Sequence, residues 1–254
     1  MKNILDEIVA YKKQEVQICM REMPATVLMK SPQMDRTVNS LKAGLQKPGA
    51  TGIIAEFKRQ SPSKGIINDK VSVEEVTAAY AAAGASCLSV LTDQHFFGGT
   101  LDDLRVARSV HLPILRKDFM IDEYQILEAR AAGADVILLI AACLTPTRVQ
   151  ELAKYARKLS LEVLLEIHGE EELDRICAEV DLVGVNNRNL KTFKVDIDNS
   201  IRLRSLLPKD KLAIAESGID SVDIVDKLRG AGFSGFLIGE HFMKQADPGK
   251  AFAT

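Results

Sequence analysis

Short apolar runs recur along the chain and stop on polar or charged residues: IIAEFK, PILRKD, VLLEI, VGVNN and AIAESG. Near-continuous Val, Ile and Leu without alternation is the pattern of parallel strands buried on both faces. The predicted strands are GIIAEFK (52–58), SCLSVLT (86–92), PILRKD (113–118), DVILLIAA (135–142), LEVLLEI (161–167), DLVGVNN (181–187), KLAIAES (211–217) and GFLIG (235–239). Helical patterns lie between them. VEEVTAAYAAAG ends at Gly84, EYQILEARAAG ends at Gly133, and Pro146 opens TRVQELAKYARKL. Glycine past a helix end and proline in its first turn are the expected punctuation. Strands alternating with such helices imply right-handed βαβ units and a parallel sheet. Eight of them predict an α/β fold, a closed (β/α)8 TIM barrel. A doubly wound open sheet is the rival. It gathers its ligands at one switch point, whereas polar residues here end most of the strands.

Ahead of the first strand, Ile4, Ile8, Tyr11 and Ile18 recur roughly at helical spacing. They predict one helix over 3–20 with these residues on its apolar face. Pro24 ends it, and a polar stretch with Pro32 and Pro48 follows. We expect a single barrel domain over 1–254, of which 1–48 is an N-terminal helical extension.

Length agrees: 254 residues is close to the roughly 250 of one such barrel. A net charge of −2 lacks the basic excess of a nucleic-acid binder. The longest apolar run, 134–144, contains Asp135 and is too short to span a bilayer. The opening MKNILDEIVAYKKQEV is too charged for a signal peptide. Cys19, Cys87, Cys143 and Cys177 show no CxxC pairing. Cys87 and Cys143 fall in apolar runs and are expected to be buried thiols, a usage that suits a reducing cytosol. The expectation is a cytoplasmic protein with a small-molecule partner, no nucleic acid and no membrane. A monomer is favoured.

Chemistry should sit where the strands end, since the C-terminal rim of a barrel builds its active site. Glu56 and Lys58 are two apart, so they share a face. A structural ion pair would explain them singly. However, Lys117 ends the third strand, Glu166 the fifth, Asn186 the sixth and Glu216 the seventh. Charged residues are seldom buried unless paired, and a ring of them at one rim reads as a site. The loop RQSPSKG (59–65) is either an ordinary turn or an anion cradle made by Ser61, Ser63 and Lys64. ESGI (216–219) and IGEH (238–241) follow strands seven and eight, where barrels commonly hold phosphate. Gly218 and Gly239 mark a tight turn or a close approach of ligand to backbone. Phe96, Phe97 and Phe119 fall at the rim, as core packing or as walls of a flat apolar pocket. His95, His111, His168 and His241 lack metal-ligand spacing. Only His168, two residues past Glu166, draws notice. GEEEL (169–173) reads as a solvated face.

Taken in order, IIAEFKRQSPSKG, SVLTDQHFFGG, PILRKDFMIDEYQI, GADVILLIAACL, LEVLLEIH, VGVNNRNL, IAESGI and FLIGEHFM resemble the indole-3-glycerol-phosphate synthase family over nearly the whole chain. The resemblance implies ring closure of 1-(2-carboxyphenylamino)-1-deoxyribulose 5-phosphate to indole-3-glycerol phosphate in tryptophan biosynthesis. Carbon dioxide and water are lost, and no metal or organic cofactor is implied. By motif, Lys117 looks like the general acid on the ketone, or a partner in that role. Lys58 looks like the lysine near the substrate carboxylate and phosphate. Glu166 looks like the acid/base of the dehydration. Glu56, Asn186, Arg188, Glu216 and Ser217 look like a supporting polar shell. Ser61, Gly218, Gly239 and the backbone at Glu240 look like phosphate contacts, and Phe97, Phe119 and Leu138 like walls around the anthranilate ring. One segment departs: after SPSKG the chain reads IINDKVSVEE, with Asn68 where the family often has arginine. Another phosphate-binding barrel enzyme, with aspartate or cysteine acid/base groups at its strand ends, is the nearest rival. A non-catalytic barrel kept as an assembly partner is the other, and it has no use for Lys58, Lys117 and Glu166 at one mouth.

Overall fold

A computed structural model describes residues 4–189 and 194–253. Its eight barrel strands are β1 (Ile53–Phe57), β2 (Cys87–Leu91), β3 (Ile114–Lys117), β4 (Val136–Ile140), β5 (Glu162–Ile167), β6 (Leu182–Asn186), β7 (Leu212–Glu216) and β8 (Gly235–Ile238). Each lies inside its predicted range. All pair in parallel, and the sheet closes because β1 pairs with both β2 and β8. That closure removes the open-sheet alternative.

Side chains alternate across each strand. Ile54, Cys87, Leu115, Val136, Leu138, Leu164, Leu182, Ile214 and Leu237 fill the lumen. Their neighbours, such as Ala55, Leu88, Ile137, Leu139, Val163 and Leu165, pack outward under the helices. The two-sided burial explains why the strands read as unbroken apolar runs. The helix ends follow their local chemistry. Gly133 closes the helix Glu123–Ala132 at φ 101°, and Thr145 with Pro146 opens the helix Pro146–Lys158.

The segment before β1 is tied to the barrel. Leu41 and Leu45, from the short helix Leu41–Leu45, join the lumen cluster. The Glu162 carboxylate, at the start of β5, accepts from the amides of Leu41 (2.8 Å) and Lys42 (3.1 Å). Asp135, fully buried before β4, accepts from the amides of Asn39 (2.8 Å) and Ile114 (2.9 Å). Its two oxygens also meet Arg36 (2.8 Å) and Arg108 (2.5 Å).

Three local expectations need correction. The first helix, α1 (Ile4–Glu22), buries Ile8, Lys12 and Val16, whereas Tyr11 and Ile18 are 40% and 45% exposed. The inner face is therefore rotated from the one its apolar residues suggested, because a lysine on it finds acidic partners in distant loops. Cys87 is buried, but Cys143 is only half-buried, in the turn that follows β4. Within GEEEL, Glu172 is buried: its carboxylate accepts from the amide of His168 at 2.6 Å. Among the described residues no helix is long and apolar enough to cross a membrane. Leu190, the last residue of the VGVNNRNL motif, lies outside the described residues.

Asp135→Ala leaves two guanidinium groups and two amides without their acceptor. Breaking a buried ion pair from one side costs about 3–5 kcal/mol. The urea unfolding midpoint should drop accordingly, and an unchanged midpoint would refute the assignment.

Candidate active site

Barrel interiors are filled in layers of four side chains supplied by alternate strands. At the C-terminal end, β1, β3, β5 and β7 supply Glu56, Lys117, Glu166 and Glu216. One layer of this barrel is thus made wholly of ionisable side chains. Lys117 Nζ stands 3.9 Å from Glu56 Oε2, 3.7 Å from Glu166 Oε2 and 3.5 Å from Glu216 Oε2. The three carboxyl groups are buried. Lys58, just past β1, pairs with Glu56 Oε1 at 2.9 Å, and Ser89 on β2 donates to Glu56 Oε2 at 3.3 Å. Asn186 at the end of β6 donates to Glu166 Oε1 at 3.0 Å.

Two glycines make room for this layer. A Cβ on Gly184 would lie 2.1 Å from Glu216 Oε1, and one on Gly239 would lie 2.5 Å from Glu56 Oε1. Gly239 has φ −127°, so its missing side chain clears space for a carboxylate and serves no left-handed turn. Gly218 differs. Ser217 and Gly218 adopt φ 69° and 68° in succession, which bends the chain sharply after β7.

Electrostatics separates the three carboxyls. Burial pushes Glu56 up, but Lys58 and Lys117 outweigh it and hold the group below the usual range. Burial likewise raises Glu166, and Lys117, His168 and Asn186 overcome it. Burial and the neighbouring Glu166 push Glu216 up to about 8. Burial lowers Lys117, yet Glu216, Glu166 and Glu56 together keep it above the ordinary lysine value. The layer therefore holds an ammonium, two carboxylates and one protonated carboxyl group at neutral pH. His168 Nε2 stands 3.2 Å from Glu166 Oε1, and its Nδ1 is 3.6 Å from Glu172 Oε2. Burial lowers His168, but these two carboxylates push it up to about 10.

Above the layer lies a cavity of about 280 Å³. One side is apolar: Phe97, Phe119, Leu138, Leu91 and Ile140, together with Ile4, Leu5 and Ile8 from α1. Phe97 and Phe119 lie with ring centroids 6.0 Å apart. Phe96 does not join them; it packs edge-on against Tyr11 and His95 outside the cavity. The other side is polar and carries Ser61, Ser63, Arg188, Ser217, Gly218, Gly239, Glu240 and Lys244. Arg188 reaches Ser63 Oγ (3.3 Å) and Glu240 Oε2 (3.2 Å), and Lys64 reaches Glu240 Oε1 (3.5 Å). Asn68, the departure in the first loop, donates to the carbonyls of Met243 and Gln245, both at 3.1 Å. That loop is pinned beside the polar end of the cavity without an arginine. Among the described residues no group of three or more His, Cys, Asp or Glu side chains is placed to hold a metal ion.

The cavity thus brings together every residue singled out from the strand ends, namely Lys117, Glu166, Lys58, Glu56, Asn186 and Glu216, with Arg188 and the loop residues beside them. The α1 residues, Ser89 and the Glu166–His168–Glu172 line were not anticipated. Ser89 had a signal, a polar residue in mid-run on β2. His168 had a weaker one, its spacing from Glu166.

A family model described as indole-3-glycerol phosphate synthase matches residues 5–254. An indole-3-glycerol phosphate synthase from Bacteroides thetaiotaomicron is 51% identical over 251 residues, 98% of this chain and 96% of that protein. One from Albidiferax ferrireducens is 44% identical over 258 residues, 100% of this chain and 98% of that protein. Among solved structures, tryptophan synthase subunit alpha from Legionella pneumophila superposes with a TM-score of 0.62 at 14% identity, covering 85% of this chain and 95% of that one. Thiamine phosphate pyrophosphorylase from Pyrococcus furiosus gives 0.60 at 15%, with 84% and 95% covered. Those two likenesses speak for the barrel alone. The sequence match, which runs through all the strand ends that build the charged layer, decides the family: this chain belongs to the indole-3-glycerol phosphate synthases.

Proposed function

We propose that the cavity closes the indole ring of 1-(2-carboxyphenylamino)-1-deoxyribulose 5-phosphate, with the roles below. The observation that carries this reading is the Lys117 ammonium held in a charged layer between an apolar wall and a polar loop cluster. The aromatic ring lies against Phe97, Phe119 and Leu138. The phosphate lies by Ser61, Gly218 and the backbone at Gly239 and Glu240. The ketone between them then stands over Lys117. Bound phosphate competes with the Glu240 carboxylate for Arg188 and Lys64.

The ring carbon that bears the carboxylate attacks the ketone carbon, and the ketone oxygen takes a proton from Lys117. Holding the two carbons in contact supplies much of the acceleration, because the step becomes intramolecular and oriented. Lys58 pairs with the substrate carboxylate. The carbon–carboxylate bond then breaks, carbon dioxide leaves, and its electron pair restores the aromatic ring. Finally the new hydroxyl departs as water. Glu166, ionised, accepts the proton lost from the methylene carbon beside nitrogen. The proton held by the Glu166–Glu216 pair goes to the leaving hydroxyl. Two carboxyl groups pushed apart in pKa divide acid and base roles between them. Glu56, Asn186, Arg188 and Ser217 hold these groups in place. On this reading the chain works as one domain in the cytoplasm, on a phosphorylated small molecule, and needs no second copy to complete its cavity.

Purified protein should generate the indole product from the anilino substrate, followed by fluorescence. Lys117→Ala and Glu166→Gln should each lower kcat by about 10²–10⁴-fold, the usual contribution of a general acid or base, with an unchanged circular-dichroism spectrum. Near-native kcat in either would reject its role. Lys58→Ala should raise KM more than it lowers kcat.

Glu216 also sets a pH dependence. Folded Glu216 keeps its proton up to about 8, whereas the unfolded group releases it around 4.5. Between these values the folded state binds the extra proton, so folding stability declines as pH rises through the interval. Urea midpoints across it should decline less steeply in Glu216→Gln, and identical slopes would contradict the assignment.

A further inference from the structure

Lys12 is buried on α1, outside the barrel strands. Its ammonium stands 2.8 Å from Asp93, 2.9 Å from Asp118 and 2.5 Å from Glu15. The two aspartates belong to neighbouring strand ends. Asp93, after β2, caps the turn Gln94–Phe97 by accepting from the amide of Phe96 at 2.7 Å. Asp118 directly follows Lys117, and its oxygens accept from Thr92 (2.6 Å) and from the amide of Phe119 (2.8 Å). Arg116 adds a further ion pair to Asp118 at 3.1 Å. Burial raises Asp118, but Lys12 and Arg116 outweigh it and keep the carboxyl ionised.

One ammonium therefore joins the ends of β2 and β3, which between them carry Phe97, Lys117 and Phe119. Burying a charge is costly even when it is paired, and apolar replacements often serve stability as well or better. Ile8 and Val16, one turn to either side, already anchor this face of α1. A lysine in their midst does what they cannot: it holds two buried carboxylates together that would otherwise repel.

We propose that Lys12 is a positioning residue for the ring closure, fixing through Asp118 and Asp93 where the Lys117 ammonium stands relative to the Phe97 and Phe119 walls. The proposal rests on the reading of Lys117 as the proton donor. It makes α1 part of the catalytic apparatus by charge as well as by the apolar wall it lends the cavity.

Lys12→Met keeps the length of the side chain and removes its charge. The test compares kcat per active site, KM and melting temperature with the unmodified protein, counting active sites by titration with indole-3-glycerol phosphate. Misplacement of a reacting group by a fraction of an ångström to an ångström costs on the order of tenfold to a hundredfold in rate. We expect a fall of that size in kcat per site, with KM changed less than about threefold. A loss confined to melting temperature or to the number of sites, with native kcat per site, overturns the proposal. Should Lys12→Met fail to fold, Asp93→Asn keeps the helix cap, weakens the same bridge and is judged by the same two outcomes. Lys117→Ala is measured alongside. If it retains native turnover, the reading of Lys117 fails, whatever Lys12→Met does.

Discussion

The Lys117 ammonium occupies a layer whose other three members are buried carboxyl groups. With Lys58 above it, two positive charges face three acids within a few ångströms. Coulomb energies at such separations are several kcal/mol in a protein interior, so the set settles near neutrality. Glu216 supplies the balance by keeping its proton, because it is buried beside Glu166 and shares its neighbouring cation, Lys117, with both other acids. The same constraint holds Lys117 charged and Glu166 ionised. The donor, the acceptor and the stored proton of the proposed ring closure thus follow from one packing decision, four ionisable side chains in a single barrel layer.

The fold meets the cost of that layer locally. Alternate strands aim Glu56, Lys117, Glu166 and Glu216 at one another. Gly184 and Gly239 give up their side chains so that two of the carboxyls fit. Around the layer, two of the acids have further partners: Lys58 and Ser89 on Glu56, Asn186 and His168 on Glu166. Below it, the lumen returns to Leu115, Leu164 and Ile214. The apolar floor keeps water away from the charges and so preserves their mutual influence.

Much of this was legible in the residue pattern. Strands buried on both faces must read as apolar runs, and a charged residue closing such a run has only the barrel rim to occupy. Glu56, Lys117, Glu166 and Glu216 were visible for that reason. Lys12 was not, since a lysine on an amphipathic helix looks solvent-facing until Asp93 and Asp118 are brought to it by strands about eighty and a hundred residues away in sequence. Ile4 and Ile8 looked like ordinary helix-packing residues, and only the docking of α1 across the mouth shows that they and Leu5 line the cavity. Glu172 looked like one acid in an exposed cluster. Its burial depends on the amide of His168, a backbone partner that no residue pattern announces.

On the proposed reading, where the substrate lies is set by the division of the cavity into two unlike halves. A molecule with an aromatic ring at one end and a phosphate at the other has one favourable way to enter, because a reversed pose would bury the phosphate against Phe97, Phe119 and Ile8. Burying an anion against hydrocarbon without partners is prohibitive. The proposed pose also brings the anionic ring carboxylate toward Lys58, whose present partner is Glu56. Asn68 keeps the first loop beside the polar half through two carbonyls. Orientation is thereby decided before any proton moves, and the charged layer needs only to act on the atom set down above it.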